Sequence, residues 1–299
     1  MNATFREYRI PSTGSKPYIL AYGPDGNIWF CSSGTGRIGR LSLRDEQITE
    51  FALPAPDAQP IGIVTGADGN LWFSEYRGHR IGRITPDGEI AEFPLPTANA
   101  GPNGITLGSD GNVWFAETDV DQFAKITPAG AVTEYHVGIT PRSKPLAPTT
   151  GPDAIWFSEA DGNNIGRITP DGRVVEYPIP TPNSGPRAIV PGPDGAYWFV
   201  QSTANAIGRI DASGNVSSFA IPRQDTSPRG IVLTPYGDFL ITENATNMIA
   251  RMAADGTIVE EYPIPTAGSG PRALTVTPEG RVFFSQHDAG QIGEVIVAR

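Results

Sequence analysis

A motif recurs along the chain with a period near 42 residues, and that period decides what the chain can fold into. It reads "NIWF" at 27–30, "NLWF" at 70–73, "NVWF" at 112–115, "AIWF" at 154–157, "AYWF" at 196–199, "DFLI" at 238–241 and "RVFF" at 281–284. The third residues are Trp29, Trp72, Trp114, Trp156, Trp198, Leu240 and Phe283, spaced by 43, 42, 42, 42, 42 and 43. A proline keeps the same beat: Pro17, Pro60, Pro102, Pro145, Pro186, Pro228 and Pro271. So do an "IGRI" series (38–41, 81–84, 165–168, 207–210) and a "TEF-x-LP" series (48–54, 90–96, 174–180).

Each period holds four short apolar segments rich in Ile, Val, Phe and Trp, bounded by Gly, Pro, Asp and Asn, which read as strands. Turns such as Pro24-Asp25-Gly26 and Pro86-Asp87-Gly88 supply the positive-φ residue of a tight hairpin. Four strands per period near 42 residues is a propeller blade. We letter them A (after the repeat proline), B ("WF"), C ("IGRI") and D ("TEFPLP"). The chain opens on a D-like strand (5–11) and closes on a C strand (292–297). The first strand therefore completes the last blade and removes an open sheet edge. The prediction is all-β: one seven-bladed β-propeller domain over 1–299, with four-stranded blades. Blade 4 departs, with 11 positions from Pro145 to Trp156 where the others have 12. It lacks the Asp-Gly turn, and Pro148 interrupts its A strand, which predicts a locally distorted blade.

The net charge of −10 argues against partners with phosphate backbones and against anionic membrane surfaces. No apolar run reaches the length of a membrane span, and the first residues lack the apolar core of a signal peptide. A soluble, cytoplasmic protein is the expectation. A single cysteine, Cys31, can form neither an internal disulfide nor a zinc cage and reads as a packing residue.

In a propeller the D–A and B–C connections share one face. The A–B and C–D turns of the other face are monotonous here, so their aspartates read as turn formers, and no metal site is assigned. The varied face carries two positions of interest in each blade. After the repeat proline, pointing at the central mouth, stand Tyr18, Ile61, Asn103, Leu146, Arg187, Arg229 and Arg272. Two residues after "WF" stand Ser32, Glu75, Glu117, Glu159, Gln201, Glu243 and Gln286. Three arginines around one mouth repel one another unless neutralised. Either they pair with nearby glutamates, Glu243 and Glu159 above all, or they bind a carboxylate or phosphate, which suits a planar guanidinium. The ligand-binding candidates are Tyr18, Arg187, Arg229, Arg272 and Glu243. His287, beside Gln286 and Asp288, is the candidate base; His79 lies in another loop of that face, and His136 lies in a D strand at the rim. The arginine of "IGRI" (Arg40, Arg83, Arg167, Arg209, Arg251) recurs too regularly for a site, and is expected to pair with D-strand glutamates such as Glu50, Glu92 or Glu176.

The segments "GPNGITLGSDGNVWFAE" (101–117), "IGRITPDGEIAEFPLPT" (81–97) and "IGRITPDGRVVEYPIPTPNSGP" (165–186) resemble the streptogramin B lyases, the virginiamycin B lyase family. The similarity runs the whole length. It implies an enzyme that opens the ester-closed ring of a cyclic depsipeptide by elimination, with Mg²⁺ and without adding water. It also implies a histidine directly after the repeat proline of blade 6, and Glu-Pro-His in blade 7, whose histidine is the general base. A further glutamate in the B–C loop of blade 7 would help hold Mg²⁺. This sequence departs at each place: Ser227-Pro228-Arg229, Gly270-Pro271-Arg272 and Ser285-Gln286-His287-Asp288. Arginine is no base near neutral pH, Gly270 has no ligand atom, and Asp288 alone makes a poor magnesium site. No catalytic residue carries over, and Mg²⁺ enters by resemblance alone. The expectation is a lyase-like propeller without the family's catalytic set, binding a small anion or a peptide carboxylate at the mouth. The alternatives are a lyase or hydrolase on a cyclic depsipeptide or related ester, with the family reaction itself retained or with His287 or a glutamate as base, and a protein-interaction platform.

Overall fold

The turn-bounded apolar segments form strands of 4 to 7 residues. A computed structural model describes residues 3–136 and 138–297. The strands assemble into seven antiparallel four-stranded sheets, a seven-bladed β-propeller. Blade 1 runs A to D as Pro17–Tyr22, Ile28–Ser32, Arg37–Leu41 and Ile48–Ala52. Blade 7 supplies Pro271–Val276, Val282–Gln286 and Gln291–Val297, and its D strand is Ala3–Arg9 from the other end of the chain. That closing pair is antiparallel, in register from Ala3 opposite Val297 to Arg9 opposite Gln291. No helix among the described residues is long and apolar enough to cross a membrane.

Every B strand is buried along its length because neighbouring blades cover both of its faces. Trp29 packs with Ile63, Leu71 and Phe73 of blade 2, and Trp198 with Ile231 and Phe239 of blade 6. The tryptophans thus cement one blade to the next. Cys31 is buried among them as expected, and burial pushes its thiol well up, which leaves it unreactive.

The "IGRI" arginines do not pair with Glu50, Glu92 or Glu176. Arg40, Arg83 and Arg167 lie across the ladder from Trp29, Trp72 and Trp156, whereas the glutamates lie across from Gly39, Gly82 and Gly166. Adjacent strand positions face opposite sides, so arginine and glutamate are on different faces. The guanidinium instead stacks on its own blade's tryptophan, 5.4 Å from the ring centre for Arg40 and 5.5 Å for Arg83. It reaches the A–B turn aspartate, as Arg209 Nε does to Asp194 at 2.7 Å and Arg251 Nε to Asp238 at 2.6 Å. Arg251 also comes within 4.0 Å of the D-strand Glu260. Asp25, Asp68 and Asp110 of the same turns accept the indole N–H of Trp29, Trp72 and Trp114 at 2.9, 3.1 and 3.0 Å.

Blade 4 is less distorted than its sequence suggests. Strand A, Pro145–Thr150, runs through Pro148, which sits opposite Phe157. An inner edge strand has one side free of ladder partners, so a proline is tolerated there. The irregularity is confined to a shortened A–B turn, closed by Gly151 N donating to Ala154 O at 2.8 Å.

In all seven blades the residue before the repeat proline is left-handed, with φ of 47° at Lys16, 54° at Gln59, 60° at Gly101, 54° at Lys144, 60° at Gly185, 47° at Ser227 and 63° at Gly270. This kink swings the chain from the D–A loop into strand A, and a bulge follows at the start of each A strand. The geometry is free for glycine and costs a side chain roughly 1–2 kcal/mol, partly offset by the entropy glycine loses on folding. Ser227→Gly is therefore expected to raise the melting temperature by about 1–2 °C. A thermal melt that moves down would show the serine contributing something the backbone does not.

Candidate functional site

The kinked entry aims the residue after each repeat proline at the propeller axis. Tyr18, Asn103, Leu146, Arg187, Arg229 and Arg272 ring the mouth of a cavity of about 530 Å³. Ile61, the blade 2 member, is buried and does not line it. Deeper in, Ile63, Ile105, Ile189, Ile231 and Leu274 form an aliphatic wall. Among the described residues no Asp, Glu or His lines this cavity.

The mouth arginines do not fold back onto glutamate. The buried Nε of Arg187, Arg229 and Arg272 each lacks a hydrogen-bond partner. Burial first, then the charges of Arg187 and Arg272, pull Arg229 down to about 10. It stays protonated near neutral pH, in a site that disfavours its charge. Arg272 lies over the Tyr18 ring, 5.1 Å from its centre. On the same phenol, His287 packs edge-on with ring centres 5.7 Å apart. His287 Nδ1 is 3.1 Å from Pro17 O. A carbonyl only accepts, so Nδ1 carries the proton and Nε2 keeps its lone pair. Burial, and then Arg272, lowers the pKa of this imidazole and holds it neutral.

Tyr18, Arg187, Arg229 and Arg272 thus come together, while His287 stands behind Tyr18 and Glu243 lies elsewhere. Glu243 is fully buried at the end of its B strand, where its Oε2 accepts the Thr246 hydroxyl at 2.9 Å. His79 Nδ1 accepts the Gly101 amide at 3.3 Å. His136 falls just past its D strand, Val132–Tyr135, with its imidazole 3.8 Å from Glu134.

A second constellation pairs residues that the sequence names but does not bring together. The B-strand ends Glu75, Glu117, Glu159 and Glu243 are all fully buried. Each faces a D-strand glutamate of its own blade, respectively Glu92, Glu134, Glu176 and Glu261. Burial above all pushes the first group up to about 7, 8, 8 and 7. Blade 7 has Gln286, whose Nε2 donates to Glu7 at 2.9 Å. Blade 5 has Gln201, whose Nε2 donates to Ser218 at 2.7 Å. The position thus holds an amide donor in two blades and, in four, a carboxyl whose ionisation burial disfavours. The D-strand carboxyl also holds the D–A loop of the preceding blade. Glu134 accepts Thr97 N and Oγ1, both at 2.9 Å, and Glu176 accepts Thr140 N and Oγ1, both at 2.6 Å.

The donors around Gly270 do not fit a magnesium ion. A Cβ built on Gly270 would meet Asp288 Oδ2 at 2.2 Å, so the aspartate occupies the space of a side chain there. Gln286 is committed to Glu7. Among the described residues no group of three His, Cys, Asp or Glu is placed to hold a metal.

The model of the virginiamycin B lyase family matches residues 1–153 and 139–298. The chain belongs to the virginiamycin B lyase family. A solved streptogramin B lyase is 34% identical with a TM-score of 0.94, and the match covers 100% of this chain and 99% of that one. The virginiamycin B lyase from Staphylococcus aureus is 35% identical, also at 0.94, over 99% of this chain and 100% of its own. A catalytically inactive histidine-to-alanine variant of that Staphylococcus aureus enzyme, solved with quinupristin, is 34% identical with a TM-score of 0.93, over 99% and 100%. No curated protein matches the chain significantly. Within the virginiamycin B lyase family, this member has arginine after the repeat prolines of blades 5, 6 and 7.

Proposed function

We propose that this member of the family binds a small anion at the central mouth and does not open streptogramin rings. The observation that carries the reading is the set of buried, unpartnered Nε atoms on Arg187, Arg229 and Arg272. Three like charges are held together with no countercharge in the cavity wall, at a cost that a bound carboxylate or phosphate would relieve. The aliphatic wall lowers the local dielectric and strengthens each contact to the anion. Against the family reaction stands chemistry. One histidine-to-alanine change accompanies loss of catalysis in the Staphylococcus aureus relative. Here Arg229 and Arg272 follow the repeat prolines where the family resemblance implies histidines.

Incubation with a streptogramin B and Mg²⁺, followed by chromatography with mass detection, is expected to leave the substrate unchanged. A new peak of unchanged mass would mean ring opening by elimination survives, and a product heavier by one water would favour hydrolysis. The binding half has its own signature. Arg229→Met keeps the apolar stem and removes the repelling charge, so it is expected to raise ligand-free stability by on the order of 1 kcal/mol. It should also weaken the thermal stabilisation given by inorganic phosphate. A variant that melts lower than the parent yet responds fully to phosphate would refute the reading.

A further inference from the structure

Resting on the anion-binding reading, we infer that the occupant is a compact anion of two or three negative charges without a cationic group: a polycarboxylate or a phosphate ester. The three arginines take equivalent places on successive blades 5, 6 and 7, and Asp and Glu are missing from the cavity wall among the described residues. The B-strand ends of those blades give no compensating charge at the mouth. Gln201 and Gln286 are neutral amides, and Glu243 is buried against Thr246 and its D strand. A single carboxylate would therefore leave two guanidinium charges uncompensated in a part-buried site. An ammonium group would find no carboxylate to meet, which sets zwitterions such as free amino acids apart from the fitting class. The opposite arc, with Asn103 and Leu146 at the mouth and Ile63 and Ile105 beneath, is uncharged and suits the carbon skeleton.

The test is calorimetric titration of the full chain with three anions on one short carbon skeleton: butyrate, glutarate and tricarballylate. Inorganic pyrophosphate forms a separate arm. Each charge-assisted contact is worth enough that every added carboxylate should tighten binding about tenfold. Tricarballylate should then bind about a hundredfold tighter than butyrate. Arg229→Met should reduce that advantage to about tenfold, with Arg187→Met as a second variant and a thermal melt to verify folding of each. Pyrophosphate tighter than tricarballylate would support the inference and assign the charges to phosphate. Butyrate as tight as tricarballylate would overturn the inference while leaving the anion site standing. No binding by any of the four, with melts indifferent to both variants, would overturn the inference together with the reading on which it rests.

Discussion

Raising the pH from about 5 to about 9 is expected to lower the melting temperature by roughly 10 °C. The cause is the set of buried carboxyls Glu75, Glu117, Glu159 and Glu243. Their folded-state values lie near 7 or 8, against an ordinary 4.5. Between those limits the folded state binds more protons than the unfolded chain, so stability falls as pH rises. The stabilisation is whole below the unfolded value and is lost as pH passes the folded values. With each site worth on the order of 1–2 kcal/mol after allowance for relaxation, four give the drop stated. The turn aspartates do not mask it. Burial raises Asp68, Asp110 and Asp194, but bonds from their own turn and from tryptophan outweigh that and hold them below the usual range. Their contribution is already complete at pH 5. Glu117→Gln with Glu159→Gln should flatten the profile by about half, since Gln286 makes the equivalent bond to Glu7 at 2.9 Å. Melts that are flat, or that rise with pH in the parent, would mean that these pairs do not hold protons.

Deleting residues 1–9 should abolish the folded monomer. The cut removes a seven-residue strand paired along its whole length with Gln291–Val297. It also strands the Gln286 amide, which donates to Glu7, and frees Thr266, whose hydroxyl donates to Glu7 at 2.9 Å. A buried strand becomes an open edge, and the loss of more than about 5 kcal/mol is comparable to the whole stability of a domain. A circular permutant separates closure from mere length. Ala3 lies opposite Val297, so a short linker joins the ends. Opening the C–D turn beside the exposed Asp171 makes Val174–Pro178 the first strand and recreates the same closure in blade 4. The permutant should fold and the truncation should not, by circular dichroism and size-exclusion chromatography. A truncated chain that melts cooperatively near the parent temperature would mean the closing strand is dispensable.

The scaffold was legible because each blade restates it: a tryptophan or its substitute every 42 or 43 residues, and a D-like strand at the front for a blade that ends on C. The mouth was legible for the same reason, since one position after each repeat proline follows a fixed kink. Pairing among charged side chains was not. "IGRI" arginine and D-strand glutamate are neighbours in sequence motifs but occupy opposite faces of the sheet, a matter of one residue of register. The assignment of Arg40 and Arg83 to glutamate failed on that parity, while the turn aspartate sat unnoticed on the correct face. Glu243 escaped because nothing in its motif tells a carboxyl aimed at a ligand from one closed against Glu261. Pro148 failed to break its strand because an edge position, invisible in sequence, removes the need for its missing N–H.

The left-handed residue before every repeat proline gives the residue after that proline a fixed backbone course whatever its side chain. Tyrosine, isoleucine, asparagine, leucine and arginine all follow the proline here. The mouth is in that sense a six-place register in which every blade but the second writes one character and the frame does not depend on the text. Exchanging a character alters charge or shape over one blade's share of the rim and leaves its neighbours in place. Ligand preference can then be rewritten in single steps, none of which asks the ring to refold.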